Sequence, residues 1–462
     1  MLATTLFLLT TLTQPRDSLV VIRSLTITGN QRTRERIIRR ELDMQPGDTL
    51  SRRALREKLA WDQRKIANTN LFITVDLTAR EDTLAPEGPA PVDLSLAVRE
   101  RWYLFALPTF YLADRNFNEW WYERGRDLRR TIYGGRMSYK NVTGNNDKLR
   151  AVLETGFVRR ADLSYTLPYI DRALKTGLSV GVAYMNNKEI AYRSALDKLV
   201  YVRDEDLLRD RFYANAVLTR RNRFFAFHRF ESRYVRYNVA DTIARLNPDY
   251  LLDGRKRLQY LQLSYSYTYD RRDNVAYPLS GRWYTLSASQ YGLLPGDNLR
   301  QTEFLGSVER FWPLGKRFYA SNYLSGKWSG PTRQPYVLLR GLGYTQDLIR
   351  GYELYVIDGQ RYGLVKNTLR YQLLNTQKQF NWVPIRQFNT VPLALYLTAF
   401  ADAGYVSSSV AREYNSRLAN QLLYGGGIGL DAVTFYNAVF RFSFAYNRQG
   451  QTGFFFTYVY DL

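Results

Sequence analysis

The chain has 462 residues, a mean hydropathy of −0.38 and no Cys, which excludes disulfides and thiolate metal sites. No run approaches the roughly 18 consecutive apolar residues that a helical membrane span requires. The formal charge is +22, yet residues 1–100 hold 15 Lys and Arg against 13 Asp and Glu, so nearly all the excess lies beyond them. Such a balance suits nucleic acid, but no recognition module or basic helix accompanies it, and no nucleic-acid partner is expected. A basic aqueous lumen, or loops facing anionic headgroups, fits the pattern of the later chain better.

Residues 1–17 hold a short apolar run with small residues around it. It reads as a secretory signal segment, although it lacks a basic start and an Ala-x-Ala site. Residues 18–100 follow a different rule from the rest. A β-rich run covers 19–29. Thr33 is placed to cap a helix carrying Ile37, Ile38 and Leu42, which ends near Pro46 and Gly47. Thr49 or Ser51 opens a second helix with Leu55, Leu59, Trp61 and Ile66 on one side. Strands at 72–79 and 92–98 follow, joined by an acidic loop rich in Pro and Gly. The order β-α-α-β-β predicts a small α+β domain, and Asn70, Leu71 and Phe72 turn the second helix into its next strand.

From residue 101 onward the chain alternates. Residues 261–269 place Leu and Tyr at odd positions and small polar residues at most even ones. The same period marks Leu149 to Phe157, Phe212 to Leu218 and Phe440 to Tyr446. A strand of this kind has one apolar and one wet face. Sandwiches alternate too, but here aromatics line the apolar face, charges line the other, and the pattern persists for some 360 residues. Aromatics make up 15% of the chain, with 37 Tyr, as interfacial girdles require. The expected fold is mainly β: a transmembrane 16-stranded antiparallel β-barrel over 101–462, lipid outside and water inside. Its strands are predicted near 103–112, 132–141, 147–156, 160–168, 175–186, 209–220, 224–238, 256–270, 280–291, 300–311, 316–327, 361–374, 391–401, 421–432, 437–446 and 453–461. Long connections at 113–131, 187–208, 239–255, 328–360 and 402–420 alternate with short ones, as a barrel inserted from one side requires. The inner connection 375–390 is longer than that rule wants, and the outer turn 157–159 is very short.

Four features resemble the BamA/TamA outer-membrane assembly family, whose members carry polypeptide-transport-associated (POTRA) domains ahead of such a barrel. They are the β-α-α-β-β order, Arg350-Gly351-Tyr352 in the 328–360 connection, Phe400-Ala-Asp402-Ala-Gly404 on a following strand, and the turn formed by Asp270, Asp273, Asn274, Pro278 and Gly281. The resemblance implies that 328–360 folds into the lumen and that Arg350 meets Asp402 on the wall. Arg offers a planar donor fork, carboxylate a matching acceptor, and Gly351 and Gly404 allow close backbone approach. Charges merely solvated in the lumen are the bland alternative. Gly425, Gly426 and Gly427 lie inside a strand with no helix following, so they read as a barrel bend or close loop packing rather than a phosphate cradle.

The resemblance implies assembly or insertion of other outer-membrane proteins, without a chemical step. An edge strand at Phe72, Ile73, Thr74, Val75, Asp76 and Leu77 would capture a client strand. The last strand, with Gly453, Phe454, Phe456, Tyr458, Tyr460 and Leu462, would meet the first in a seam that opens sideways. Expected partners are unfolded outer-membrane client proteins, outer-membrane lipids, and accessory periplasmic or lipoprotein subunits. The expected location is a bacterial-type outer membrane, with the N-terminal domain in the periplasm. A secretion channel and a passive or structural pore are the rival classes. His228 is the only histidine and sits among Arg and Phe, so neither a catalytic triad nor a metal site is expected, and no cofactor.

Overall fold

The computed structural model describes residues 19–82, 89–171, 173, 175–223, 225–379, 390–434 and 438–459. The signal segment, the acidic loop at 83–88, most of the connection 375–390, and Tyr460 and Leu462 lie outside the described residues, wholly or in part. The chain divides into two compact units. One comprises the residues up to 105 with 138–149, the other 106–137 and 150–462.

In the first unit, β1 (Leu19–Thr28), α1 (Glu35–Arg39), β2 (Thr49–Ser51), α2 (Arg52–Asn68), β3 (Phe72–Glu81) and β4 (Ala90–Glu100) form one α+β layer. The sheet order is β2-β1-β4-β3, so β3 stands at an edge. Alternation on β4 buries Val92, Leu94, Leu96 and Val98, which pack with Val20, Ile22, Ile38 and Ile66. Each such side chain contributes about 1.5–3 kcal/mol, and Leu94→Ala would cost about 2–5 kcal/mol.

Three local expectations are corrected here. The first helix is only five residues long, and Arg34, not Thr33, is its N-cap, with no side-chain bond. Thr33 is buried, and its hydroxyl meets Tyr103 OH and accepts from Asn141 Nδ2, so it is unavailable to a helix. Ser51 does cap α2, accepting from Ala54 N at 3.2 Å, but the residues before it form β2, an element the sequence did not suggest. Trp61 is half-exposed, because it sits two residues from Leu59 and so on another face. The buried position is Asp62, which accepts from Asp43 N at 2.9 Å and pairs with Lys65.

The second unit is built on a 16-stranded sheet that follows chain order. Its first strands are β5 (Leu104–Leu112), β6 (Thr131–Lys140), β7 (Lys148–Gly156), β8 (Val158–Leu167) and β9 (Thr176–Asn187). A separate hairpin, β10 (Glu189–Ala195) and β11 (Lys198–Arg203), occupies the 187–208 connection, which the sequence reading leaves as loop. The wall resumes with β12 (Arg209–Arg223), β13 (Ala226–Val239), β14 (Arg257–Asp270), β15 (Gly281–Tyr291) and β16 (Gln301–Pro313). It continues with β17 (Phe318–Gly330), β18 (Arg361–Gln379), β19 (Thr390–Ser407), β20 (Leu422–Val433), β21 (Val439–Asn447) and β22 (Thr452–Val459). Strands β18 and β19 run past the predicted ends, which accounts for the long-looking connection between them.

The burial is inside out. Leu153 is 66% exposed and its neighbour Glu154 only 7%; Phe442 is 52% exposed and Ser443 7%. Asp402, Asp431 and Arg370 are buried, while Leu263, Leu286, Phe304 and Ile428 are not. Only an apolar solvent makes that arrangement favourable, and a closed set of hydrogen-bonded strands is what such a solvent permits. Among the described residues no helix is long and apolar enough to cross a membrane, which leaves crossing by strands open.

Candidate functional site: the inward segment and its seat

Between β17 and β18 the segment 331–360 leaves the wall and returns to it from within. Arg350 is its tip. Its Nε donates to Asp402 Oδ2 at 2.8 Å and its Nη2 to Asp402 Oδ1 at 2.5 Å. Its backbone N–H donates to the same carboxylate at 3.0 Å. The rest of the guanidinium is used as well, with Nη1 donating to Thr368 Oγ1 and Nη2 to Asn367 O, each at 3.0 Å. The plane lies 4.1 Å from the centre of the Phe400 ring. Arg350 keeps 12% of its side chain exposed and Asp402 none. A buried charge is tolerated only when paired and bonded in this way.

The remaining motif residues form the seat. Gly351 has φ +97°, a left-handed conformation that strains other residues. Its carbonyl accepts from Asn447 Nδ2 at 2.8 Å, at the end of β21. Tyr352 is buried, with its hydroxyl 3.5 Å from Tyr424 O. A Cβ on Gly404 would lie 2.8 Å from Ile349 Cδ1, so that glycine makes room for the segment. The glycine run on β20 supplies the closest approach, because a Cβ on Gly425 would overlap the carbonyl oxygen of Arg350.

One ion pair is a small return for the entropy of ordering so long a segment. The seat is correspondingly wider than the motifs. Leu342, Ile349, Tyr352 and Ile357 pack on Leu364, Val406 and Leu423 of the wall. Asp347 accepts from Tyr323 OH at 2.5 Å and Tyr362 OH at 2.7 Å. Asp358 accepts from Ser194 Oγ of the β10–β11 hairpin and from Tyr344 OH. Burial pushes the Asp358 carboxyl up to about 6 and that of Glu353 up to about 7. Sequence reasoning missed Asp347, Asp358, Asn447 and Thr368. Beside the Asp402 motif, the glycine run is the signal in the sequence that points to this part of the wall.

The turn after β14 is organised by its own side chains. Asp270 takes Arg272 Nε at 2.9 Å and Nη2 at 2.6 Å. Asp273 Oδ1 accepts from Leu279 N at 3.1 Å, and Asn274 Oδ1 from Ala276 N at 2.8 Å. Gly281 has φ +105° where β15 begins, with Pro278 just ahead of it in the turn. The turn's unpredicted product is Tyr277, whose hydroxyl donates to the buried Asp431 at 2.9 Å. His228 bonds Tyr265 OH at 2.9 Å and Asn222. Among the described residues no group of three His, Cys, Asp or Glu is placed to hold a metal.

A 16-stranded antiparallel barrel with a small α+β domain before it defines a class of membrane protein, and the comparisons specify which. The Omp85 superfamily domain matches residues 141–458, and the POTRA model, described as a surface antigen variable number repeat, matches 20–101. The chain belongs to the Omp85 superfamily. Barrels of this family are outer-membrane proteins with periplasmic POTRA domains. Among solved structures it is similar to the crystal structure of BamA from Haemophilus ducreyi lacking POTRA domains 1-3, with a TM-score of 0.63 at 15% identity. That match covers 95% of this chain and 84% of the other. It is also similar to CdiB from Escherichia coli, with a TM-score of 0.55 at 12% identity, covering 95% and 75%. At such identities the likeness concerns the fold. No curated protein matches the sequence.

Proposed function

We propose that this protein assembles or inserts other polypeptides in the outer membrane, capturing extended client segments and releasing them sideways through its wall, with no chemical step. The observation that carries the reading is the seated inward segment. It reaches Asp402 and Gly425 on one side and Asn116 of the first outer connection on the other, and so obstructs the lumen as a through-route. A wall of hydrogen-bonded strands then offers one place to part, between β22 and β5, the two ends of the sheet order. Strand pairing is the natural currency of exchange there, because a parted edge presents unpaired N–H and C=O groups.

The POTRA edge strand β3 would serve as the first docking site, with Ile73 exposed on it. Clients would be unfolded outer-membrane proteins, received with help from accessory periplasmic or lipoprotein subunits. Arg350, held by Asp402, would keep the barrel closed between cycles. The test is a disulfide between cysteines at facing positions of β5 and β22. The locked barrel should fold and shift on heating as the parent does, yet fail to assemble clients in lipid vesicles. Full activity while locked removes the reading.

A second reading is passage of a polypeptide through the lumen. It is favoured by a cavity of about 540 Å³ lined by Arg272, Tyr277, Glu309, Lys366 and Arg370. The locked barrel separates the two, since passage through the lumen survives the lock and lateral release does not. Single-channel recording tests a third reading, in which a wide, steady conductance fits a passive pore and a plugged, flickering one fits either of the first two.

A further inference from the structure

The first outer connection carries a feature that neither the motifs nor the seat of Arg350 uses. Residues 119–123 form a single irregular helical turn, and side chains on and just before it bond the backbone of β22. Asn118 Nδ2 donates to Phe456 O at 3.1 Å, and Asn118 Oδ1 accepts from Phe456 N at 2.9 Å. A primary amide presents the same donor and acceptor pair as a peptide group, so Asn118 binds Phe456 as a neighbouring strand would. Phe456 has one N–H and it is spent here, so these groups face away from β21, where Phe442 lies opposite in register. Two residues earlier on the same edge, Phe454 O accepts from Tyr122 OH at 3.3 Å. The ring of Phe117 meets that of Phe456 edge-on at 5.5 Å. The outward edge of the last strand is thus capped by side chains at two successive positions.

The cap is itself anchored to the inward segment. Asn116 Oδ1 accepts from Glu119 N at 2.8 Å, and its Nδ2 donates to Glu353 O at 3.0 Å. Arg115 bonds Tyr355 O at 3.2 Å and Gly343 O, and its Nε pairs with Glu119 at 2.7 Å. Glu353 in turn accepts from Gly351 N at 2.8 Å, next to the Arg350 tip. A continuous line of bonds therefore runs from the Asp402 seat to the edge of β22.

We propose that residues 115–122 are a displaceable strap on the last strand. Asn118 and Tyr122 hold the edge positions of Phe456 and Phe454 that an incoming extended polypeptide takes, and Arg115 and Asn116 tie the strap's release to the inward segment. The partner is an extended polypeptide segment able to pair as a strand, since the strap's hydrogen bonds to β22 are to backbone alone. This rests on the strand-capture reading above, and the experiment separates the two.

The full chain is placed in phospholipid vesicles, and hydrogen exchange is followed at the Phe456 amide. The probe is a synthetic peptide copying residues 452–462, with a photoreactive group at its Phe454 position. In Asn118→Ala, exchange at Phe456 should quicken by roughly three- to tenfold, as loss of one hydrogen bond allows, and photocapture of the peptide by β22 should rise several-fold. Tyr122→Phe, which removes a single oxygen, should raise capture less. Oxidising the pair Asn118→Cys and Phe456→Cys should suppress capture, and reductant should restore it. Unchanged exchange in Asn118→Ala overturns the strap. Faster exchange with capture equal to the parent's overturns the competition while leaving strand capture standing. No capture by the parent or by any variant, reduced or not, overturns strand capture and the strap's purpose with it.

Discussion

The carbonyl oxygen of Arg350 occupies the space that a side chain on Gly425 would need. The backbone of the inward segment thus lies directly against β20, and the wall has given up a Cβ to admit it. Gly425→Ala should unseat the tip, lowering the unfolding midpoint and raising exchange at the Gly351 amide. Gly363→Ala on β18, where nothing lies within 4 Å of the new methyl, should leave both unchanged. Equal effects from the two would mean that the close approach has no consequence.

Asp402 is fully buried and Arg350 nearly so, so removing one partner strands the other. Arg350→Ala or Asp402→Ala should each cost about 3–5 kcal/mol of barrel stability. The double variant should cost less than the sum, because the stranded charge is gone. Arg350→Lys should rescue little, since an ammonium cannot reach Asp402, Thr368 and Asn367 together. Thermal unfolding in detergent, followed by the heat shift on gels, measures all four.

Glu353 gives seating a pH dependence. Burial raises its carboxyl from 4.5 to about 7. A raised folded value means that its contribution is fully present below pH 4.5 and is lost as pH rises through about 7. Exchange at the Gly351 amide, corrected for its intrinsic rate, should therefore quicken between pH 5 and pH 8. Glu353→Gln keeps an acceptor for Gly351 N but cannot ionise, so it should flatten that slope and seat the segment more firmly at pH 8. A variant with the parent's slope would assign the dependence to another group.

Ile73 is half-exposed on the edge strand of the POTRA sheet. Ile73→Lys should leave the fold within about 0.5 kcal/mol, as an exposed position allows. It should weaken capture of extended peptides, because edge charges oppose strand addition. Peptide binding to the full chain, alongside its circular dichroism, separates the two effects.

Period-two alternation was enough to locate sixteen strands, because a wall wetted on one face and greased on the other writes its pattern into every strand. The same logic cannot see contacts between distant segments. Arg350 and Asp402 stand 52 residues apart, and only a family resemblance suggested pairing them. Nothing in the sequence marks Asn118 against Phe456 or Tyr277 against Asp431, since each partner is an ordinary residue until the barrel closes. The β10–β11 hairpin escaped notice because it follows the end of β9 almost without a break. Trp61 falls off the side expected to hold it with Leu55, Leu59 and Ile66, because the helical period places Asp62 inward instead.

The strands differ in length around the wall, and a bilayer must answer that difference. β5, β7 and β21 have nine residues each, whereas β13 has 14 and β18 has 19. At about 3.3 Å per residue and a tilt of about 40°, nine residues rise about 23 Å, close to the apolar band of about 25 Å that an outer-membrane barrel presents. Fourteen residues rise about 35 Å by the same arithmetic, so β13 and the longer β18 carry the wall past that band. The rim of the wall is therefore uneven, low beside β5 and β21 and high beside β18, through nothing more than the count of residues in each strand.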